Sequence, residues 1–432
     1  MDCISPIDGR YKRYTFHLKN YFSEYGLFKY RLKVEIYYLI SLLEFLKKNK
    51  INKSKVESIY LGFNENECDK IKQIENTINH DVKAVEYYIG KKFEELKLNY
   101  RSFIHFGLTS QDINNTAISL SIKDYFAKYF FTTINQILQK IDDKVDKWKD
   151  IKMISRTHGQ SAVPTYLGKE MNVFHYRLQG QLKLLGETPI FSKFGGAVGN
   201  LNAHKCAYPD LDWDNFAEVF LNGMGLQRSQ FTTQIDNYDN LGCILDNIKR
   251  MNTILIDLCR DIWHYISIGY FSQKFNKNEV GSSTMPHKIN PINFENAEGN
   301  LMLSVNLCEF LSRKLPISRL QRDLTDSTVL RNLGMVFGYC EVAFSNIMKG
   351  LEKIVPNKKL IEKDLVENVI VISEGIQTIL RKHGVQDAYE ELKTFTRNNF
   401  NLTQEDINMF INNLNLSNEI KNELNKITIY NY

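Results

Sequence analysis

Proline is scarce in this chain, which has 8 prolines among 432 residues. None lies between Pro6 and Pro164, and none lies between Pro209 and Pro286. Interior proline removes a helical hydrogen bond and clashes with the preceding turn, so these segments permit long, uninterrupted helices. Strand-like alternation is also rare, whereas apolar residues recur at steps of three and four, as they do along 241–262. We therefore predict an all-α fold.

Paired cysteines, membrane-length apolar runs and a strong net charge are also lacking. The 7 cysteines are far apart and form no C-x-x-C pair, which is typical of reduced thiols and argues against a zinc site. No uncharged apolar run approaches a membrane span, and the N-terminal segment lacks a signal-peptide core. The net charge of +5 is too small for a dedicated nucleic-acid binder but suits an anionic small molecule. We expect a soluble, cytoplasmic protein that binds neither membranes nor nucleic acid.

The helical patterns divide the chain into three regions. Residues 1–99 hold two predicted helical stretches, around 15–48 and 65–98. Residues 100–351 carry the longest periodic segments and are predicted to form a central long-helix bundle, while 352–432 are richer in Asn and Lys and predict shorter helices. Several central helices are apolar on more than one face, which one small bundle cannot bury. We expect other subunits to cover that surface.

Unusual polar side chains are concentrated in stretches that interrupt the helical pattern. There are four of them, TINHD (77–81), GLTSQD (107–112), SRTHGQ (155–160) and GSSTMPHKINP (281–291). Loops that present Ser, Thr, His, Asn and Lys on a rigid helical scaffold are common catalytic sites. We therefore regard these stretches as the candidate functional segments.

Each of these residues also has a simpler structural interpretation when it is taken alone. Thr109 with Asp112 fits a helix capping box, although a helix start is also a ready anion site, so both roles are compatible. His158 fits a turn residue that satisfies a carbonyl, and His80 fits a structural pair with the next residue. Lys288 alone fits a solvated side chain.

Longer motifs favour the functional interpretation through a family resemblance. GSSTMPHKINP resembles the signature loop of the fumarase/aspartase superfamily, G-S-S-x-M-P-x-K-x-N-P. Within it, TINHDVKAVEY, GLTSQDINN, SRTHGQ and QRDLTDSTVLRN are similar to the adenylosuccinate lyase family, and SPIDGRY at 5–11 is similar to its bacterial-type branch. The resemblance covers roughly residues 5–350 and weakens beyond them. It implies a three-domain all-α fold whose central helices form the core of a homotetramer, with active sites shared between subunits.

The resemblance also implies a reaction, the β-elimination of fumarate from adenylosuccinate to give AMP, and of fumarate from SAICAR to give AICAR, in purine nucleotide biosynthesis. The chemistry needs a base for the proton beside a carboxylate and an acid for the departing nitrogen. By resemblance, Ser282 is the general base and His158 the general acid, while His80 orients substrate or tunes His158. A serine alkoxide needs stabilisation, which Lys288 and loop N–H groups would provide.

A substrate-binding set follows from the same resemblance, and no metal or organic cofactor is implied. The residues assigned to the fumarate end are Thr109, Ser110, Gln234, Lys288 and Asn290. Those assigned to the nucleotide phosphate are Arg10, Tyr11, Ser327 and Arg331, with Arg322 and Asn296 nearby. The remaining assigned positions are Asn79, His80, Asp81, Ser283 and Met285.

Two alternatives remain open at this point. Another fumarate-releasing lyase of the superfamily, such as argininosuccinate lyase, shares the signature loop, but a substrate without phosphate would not need Ser327 with Arg331. A non-catalytic helical scaffold would be free to lose Ser282 or His158, and both are present.

Overall fold

The computed structural model describes residues 3–48, 51–274, 285, 287–397 and 402–432. Within those ranges the chain is mainly helical, which confirms the predicted all-α class. The α-helices are α1 Lys12–Thr15, α2 Lys19–Phe22, α3 Glu24–Phe45, α4 Lys53–Leu61, α5 Glu65–Ile78, α6 Asp81–Glu95, α7 Ser110–Tyr125, α8 Phe131–Trp148, α9 Leu167–Glu187, α10 Asn202–Ala207, α11 Trp213–Gly223, α12 Asp239–Ser267, α13 Ile292–Lys314, α14 Thr325–Leu330, α15 Leu333–Lys353, α16 Lys358–Glu367, α17 Ser373–Lys382, α18 Ala388–Arg397, α19 Gln404–Asn413 and α20 Asn418–Leu424. The strands are β1 Lys152–Thr157, β2 Gln160–Tyr166, β3 Phe191–Lys193, β4 Gln227–Ser229, β5 Phe271–Gln273 and β6 Ile354–Pro356.

The long helices lie where proline is missing. α12 has 29 residues and α13 has 23, against about 11–12 for an average helix. The stretch predicted as helical over 15–48 is interrupted, because Ser23 is extended and its hydroxyl accepts the Gly26 amide N–H at 3.2 Å to start α3. None of the described helices combines the length and hydropathy needed to cross a bilayer.

The chain forms two compact units, each built from three segments. The first unit comprises Met1–Asn135, Gly180–Ile256 and Asn296–Asn346, and the second comprises Gln136–Gln179, Asp257–Glu295 and Ile347–Tyr432. The division of the sequence into regions 1–99, 100–351 and 352–432 stays a prediction.

The first unit has an apolar core between its N-terminal helices. Phe28, Leu32, Ile36 and Leu39 recur along one face of α3 and pack with apolar side chains of α4, α5 and α6. Burying each such side chain contributes about 1.5–3 kcal/mol, which fixes the three helices against α3. Another face of α3 packs against α7. This arrangement places the start of α7 beside the N-terminal helices.

The second unit contains an antiparallel hairpin and the C-terminal helices. In the hairpin β1 pairs with β2, and the register runs from Lys152 opposite Tyr166 to Thr157 opposite Gln160. Ile154 of β1 is fully buried in a cluster of apolar side chains from the C-terminal helices. The hairpin is therefore anchored at its base, and its tip carries the SRTHGQ stretch.

Candidate active site

The GLTSQD stretch forms the start of α7. The predicted capping box is present: the Asp112 carboxylate accepts the Thr109 backbone N–H at 2.8 Å, and Ser110 is the first helical residue. The first amides of a helix have no partner within it and carry the positive end of the helix dipole. Thr109 and Ser110 therefore combine a capping role with a position suited to an anion.

A buried ion pair fixes this helix start to the loop after β3. Asp112 Oδ1 accepts from Lys193 Nζ at 2.7 Å and from the Gly195 amide at 2.8 Å, and both charged side chains are fully buried. Lys193 Nζ also donates to the Gly196 carbonyl at 2.6 Å. Burial lowers the pKa of the Lys193 amine, and the Asp112 carboxylate opposes that shift. Lys193 lies outside the predicted site, and its one sequence signal is a lysine in the otherwise apolar FSKFGG segment.

The turn before α7 is shaped by Gly107. Its φ is +70°, and a Cβ there would lie 2.7 Å from the ring of His204, so a side chain is excluded. The buried His204 ring lies 2.9 Å from the Tyr38 hydroxyl, which donates to the Phe106 carbonyl at 2.5 Å. Burial lowers the pKa of His204 to about 4, so the ring is neutral at pH 7. These contacts hold the segment that leads into Thr109.

The TINHD stretch lies at the junction of α5 and α6. Asn79 adopts the left-handed conformation that ends α5, with a φ of 53°, and His80 is the N-cap of α6. The Lys83 backbone N–H donates to His80 Nδ1 at 3.1 Å, so Nδ1 is unprotonated and the ring proton is on Nε2. The half-exposed ring thus offers an Nε2–H donor. His80 Nδ1 lies 3.9 Å from Asp81 Oδ1, too far for a hydrogen bond.

Asp81 binds two arginines through one oxygen. Its Oδ2 accepts from Arg31 Nη2 at 2.7 Å and from Arg331 Nη2 at 3.0 Å, and its Oδ1 accepts the Val82 amide N–H at 2.8 Å. Burial alone would raise the pKa of the Asp81 carboxyl, but the Arg31 charge, these hydrogen bonds and the Arg331 charge lower it to about 2. Asp81 is thus ionised at any physiological pH.

The QRDLTDSTVLRN stretch brings several predicted residues together. Ser327 Oγ accepts from Gln111 Nε2 at 3.2 Å and from Arg322 Nη2 at 3.1 Å. Arg322 Nη1 also donates to Gln234 Oε1 at 3.2 Å, and Gln234 Nε2 donates to the Ala197 carbonyl at 3.0 Å. The predicted residues Gln234, Arg322 and Ser327 therefore form one network, which reaches the start of α7 through Gln111.

A cavity of about 60 Å³ lies beside this network. Its polar wall includes Arg31, Gln111, Ser327 and Arg331, and its apolar wall includes Phe22. Ser327 and Arg331 are four residues apart, so they lie on the same face of α14 and its C-terminal cap.

Tyr11 and Asn296 form a separate pair, whose orientation follows from two neighbouring amides. Asn296 Oδ1 accepts from Asn300 Nδ2 at 3.1 Å and from Asn346 Nδ2 at 3.0 Å. Asn296 must therefore present its NH₂ group to Tyr11, whose hydroxyl oxygen accepts at 3.0 Å. The Tyr11 O–H hydrogen is left to donate to another group. The neighbouring Arg10 is exposed.

His158 and the described residues of the signature stretch belong to the second unit. Because Thr157 pairs with Gln160, His158 and Gly159 form a two-residue turn, with φ values of 52° and +74°. Positive φ at both positions is characteristic of a type I′ hairpin turn, which a glycine favours. The His158 side chain is exposed at the tip of the hairpin.

Only part of the predicted signature loop is described. Ser282 and Ser283, the predicted base and its neighbour, lie outside the described residues. The Lys288 amide N–H donates to the Met285 carbonyl at 3.1 Å, the Lys288 side chain is exposed, and Asn290 is half-buried.

Two family models and many curated relatives match the chain. A model described as lyase matches residues 9–304, and one described as adenylosuccinate lyase C-terminal matches 318–432. The adenylosuccinate lyase of Dictyostelium discoideum is 53% identical, with 100% of this chain and 96% of the relative covered. That of Escherichia coli K12 is 43% identical, with the same shares covered. The match thus extends through the C-terminal region, where the resemblance from the sequence motifs faded.

Solved structures confirm the fold at lower identity. A fumarate lyase from Mesorhizobium sp. BNC1 has a TM-score of 0.77 at 15% identity, over 96% of this chain and 94% of that one. A 3-carboxy-cis,cis-muconate lactonizing enzyme from Pseudomonas putida has a TM-score of 0.74 at 18% identity over the same shares. Together, the family models and the full-length relatives establish that this chain belongs to the adenylosuccinate lyase family.

Proposed function

We propose that this chain cleaves adenylosuccinate into AMP and fumarate, and SAICAR into AICAR and fumarate, as a cytoplasmic enzyme of purine nucleotide biosynthesis. The observation that carries the proposal is the similarity to adenylosuccinate lyases along the whole chain. The polar network around Ser327 and Arg331 supports a phosphate-bearing substrate, because planar guanidinium groups bind two phosphate oxygens at once. None of the seven cysteines, all of which the structure describes, forms a disulfide, which favours a reducing compartment.

The proposed chemistry is a β-elimination shared between Ser282 and His158. The Ser282 alkoxide takes the proton from the succinyl carbon next to a carboxylate, and the released electron pair becomes the double bond of fumarate. The C–N bond breaks, and the departing nitrogen takes a proton from His158. Lys288 stabilises the negative charge that builds on the carboxylate after proton loss.

Three elements are proposed to bind the anionic groups of the substrate. The Ser110 amide and the hydroxyls of Thr109 and Ser110 bind a succinyl carboxylate at the start of α7, where the helix dipole favours negative charge. The Tyr11 hydroxyl, Ser327 and the half-exposed Arg331 bind the nucleotide phosphate. His80, with a ring proton on its outward Nε2, orients the substrate.

We also propose that the protein acts as a homotetramer with shared active sites. Large apolar side chains are exposed on two central helices, with Tyr176 of α9 at 76% and Leu303 and Phe310 of α13 at 48% and 43%. Exposed apolar clusters on rigid helices are typical of subunit interfaces. Burial against other subunits would account for them.

The direct test is a spectrophotometric assay of the purified protein with adenylosuccinate, in which AMP and fumarate are both measured as products. Equal release of both products is expected, and SAICAR should give AICAR and fumarate. Turnover of argininosuccinate without turnover of adenylosuccinate would contradict the proposal. A protein that is shown to be a folded tetramer but has no activity would favour a non-catalytic scaffold instead.

Arg331→Gln is expected to raise both the KM for adenylosuccinate and the Kd for AMP by about 10- to 100-fold, since a charge-assisted pair to phosphate is lost. The value of kcat should change by less than about threefold, because the phosphate is remote from the reacting bond. Initial-rate kinetics and calorimetric titration with AMP measure the two effects. Arg319→Gln is the matched control, because Arg319 lies just before the QRDLTDSTVLRN stretch, is 80% exposed and pairs with Asp323. An unchanged affinity for AMP in Arg331→Gln would move the phosphate site elsewhere.

A further inference from the structure

We infer that Arg31 is a positioning residue of the active site, which neutralises Asp81 and so leaves the charge of Arg331 available to the substrate phosphate. The inference rests on the proposed role of Arg331 and goes beyond it, because Arg31 itself is buried and acts through Asp81 and Arg331. It concerns three side chains that meet from three distant parts of the sequence.

The Arg31 side chain is buried and held in one orientation. It lies on α3 with 4% of its side chain exposed. Its Nε donates to Asn114 Oδ1 of α7 at 2.8 Å, and its Nη2 donates to Asp81 Oδ2 of α6 at 2.7 Å. A buried guanidinium requires a compensating charge, and Asp81 supplies it. Arg31 therefore links three helices and carries a permanent positive charge beneath the site.

Asp81 is occupied by protein donors and is unsuited to contact an anionic substrate directly. One of its oxygens is shared by Arg31 and Arg331, and the other accepts the Val82 amide. A carboxylate placed beside a phosphate without compensation would repel it. Asp81 was predicted by resemblance to bind substrate, and its contacts support an indirect role through Arg331.

The count of charges explains what Arg31 contributes. Two guanidinium groups and one carboxylate leave a net charge of +1. Arg31 is buried whereas the Arg331 side chain is 52% exposed, so the surplus positive charge is presented at Arg331. Without Arg31, the same carboxylate would pair with Arg331 alone, and the net charge of the pair would be zero. The cavity of about 60 Å³ is lined by both arginines, so the charge of either one acts on a ligand there.

Three variants, compared with the wild type, separate this role from simple packing, because the four proteins span three values of the net charge at the site. The net charge is 0 in Arg31→Met, +1 in the wild type, +1 in the Arg31→Met/Asp81→Asn double variant and +2 in Asp81→Asn. We expect the affinity for AMP at low ionic strength to rise with the net charge. Compared with wild type, AMP should bind about tenfold more weakly to Arg31→Met, within about threefold to the double variant, and about threefold or more tightly to Asp81→Asn. The differences should shrink as salt is added, since charges near the surface are screened.

Calorimetric titration with AMP and initial-rate kinetics on the tetrameric enzyme provide the readouts. The KM for adenylosuccinate should follow the Kd for AMP, while kcat changes by less than about threefold. Arg31→Lys, which keeps the charge, should bind AMP within about threefold of wild type. Arg228→Met is the matched control: Arg228 is also largely covered and bonds to Asp214, so its loss removes a similar ion pair without changing the Kd for AMP.

Three results would overturn the inference. They are an unchanged Kd for AMP in Arg31→Met, a double variant that binds as weakly as Arg31→Met, and an Asp81→Asn variant that binds AMP no more tightly than wild type. If Arg31→Met does not fold, Asp81→Asn and the double variant still test the inference, because the expected order of their affinities for AMP does not depend on measuring Arg31→Met. A loss of affinity in Arg331→Gln combined with any of these three results would reject the role of Arg31 while keeping the proposed phosphate site.

Discussion

His158→Asn is expected to lower kcat by about 10²- to 10⁴-fold, the usual contribution of a general acid, while KM changes by less than about tenfold. The purine amine is a poor leaving group unless its nitrogen is protonated as the C–N bond breaks. Asparagine keeps a polar side chain of moderate size but has no proton to transfer. The rate of fumarate release under saturating adenylosuccinate measures the effect.

Asparagine is the suitable replacement because of the backbone at this position. His158 lies in the left-handed region with a φ of 52°, which asparagine adopts more readily than most residues. The hairpin is also held from outside the turn: Arg156 Nη2 donates to Asp364 Oδ2 at 2.7 Å, and Ser155 Oγ donates to the Val163 carbonyl at 2.5 Å. We therefore expect the hairpin to keep its geometry, so that the loss of kcat reports the loss of the imidazole.

Gly159→Ala is the control that separates the turn from the imidazole. A Cβ at Gly159 would have no neighbour within 4 Å, but the φ of +74° makes alanine strained by about 1 kcal/mol. The variant should lower thermal stability slightly and reduce kcat by less than about tenfold. Equal losses in Gly159→Ala and His158→Asn would mean that the shape of the turn, rather than the imidazole, limits the reaction.

Helix content and the start of α7 were predictable from local sequence, whereas the predicted stretches 15–48 and 65–98 are each divided into separate helices for local reasons. Scarce proline and regular apolar spacing indicate α12, and the capping pattern at Thr109 marks the start of α7. Helix α4 was not predicted because its short stretch buries just two side chains, Val56 and Ile59, which give no clear periodicity. Its one local signal is Asn52, whose side chain accepts the Lys55 amide N–H and so caps the start of the helix.

The site residues that the family resemblance assigns were predictable from the sequence. The polar pairs between residues far apart in the sequence were not. The family resemblance supplied Gln234, Arg322 and Ser327, which the structure joins in one network. Periodicity along α3 predicts which face of the helix carries Arg31. It does not identify the partner of Arg31, the Asp81 carboxylate, which lies 50 residues later in the sequence. The same holds for Lys193 and Asp112, which are 81 residues apart. Such long-range polar pairs depend on tertiary packing.

Lys193→Met is expected to lower the free energy of unfolding by about 3–5 kcal/mol, because it leaves the Asp112 carboxylate buried without its cation. Methionine is close to lysine in length and fits the apolar surroundings, so little of the effect comes from lost volume. Asp112 keeps its bonds from the Thr109, Gly195 and Gly196 amides, which places the expected loss near the lower end of that range. Denaturant unfolding at matched protein concentration measures it, since the proposed subunit association would contribute to stability.

A charge-free double variant tests whether the missing cation is the cause. Asp112→Asn/Lys193→Met removes both charges, so its free energy of unfolding should lie closer to wild type than that of Lys193→Met, since paired removal of a buried ion pair is often nearly neutral. Lys205→Met, which breaks the exposed pair with Asp214, should cost less than about 1 kcal/mol. If Lys193→Met costs no more than Lys205→Met, the buried pair does not hold the start of α7. If it costs the expected amount, the KM for adenylosuccinate should rise with it, because Thr109 and Ser110 depend on the same anchor.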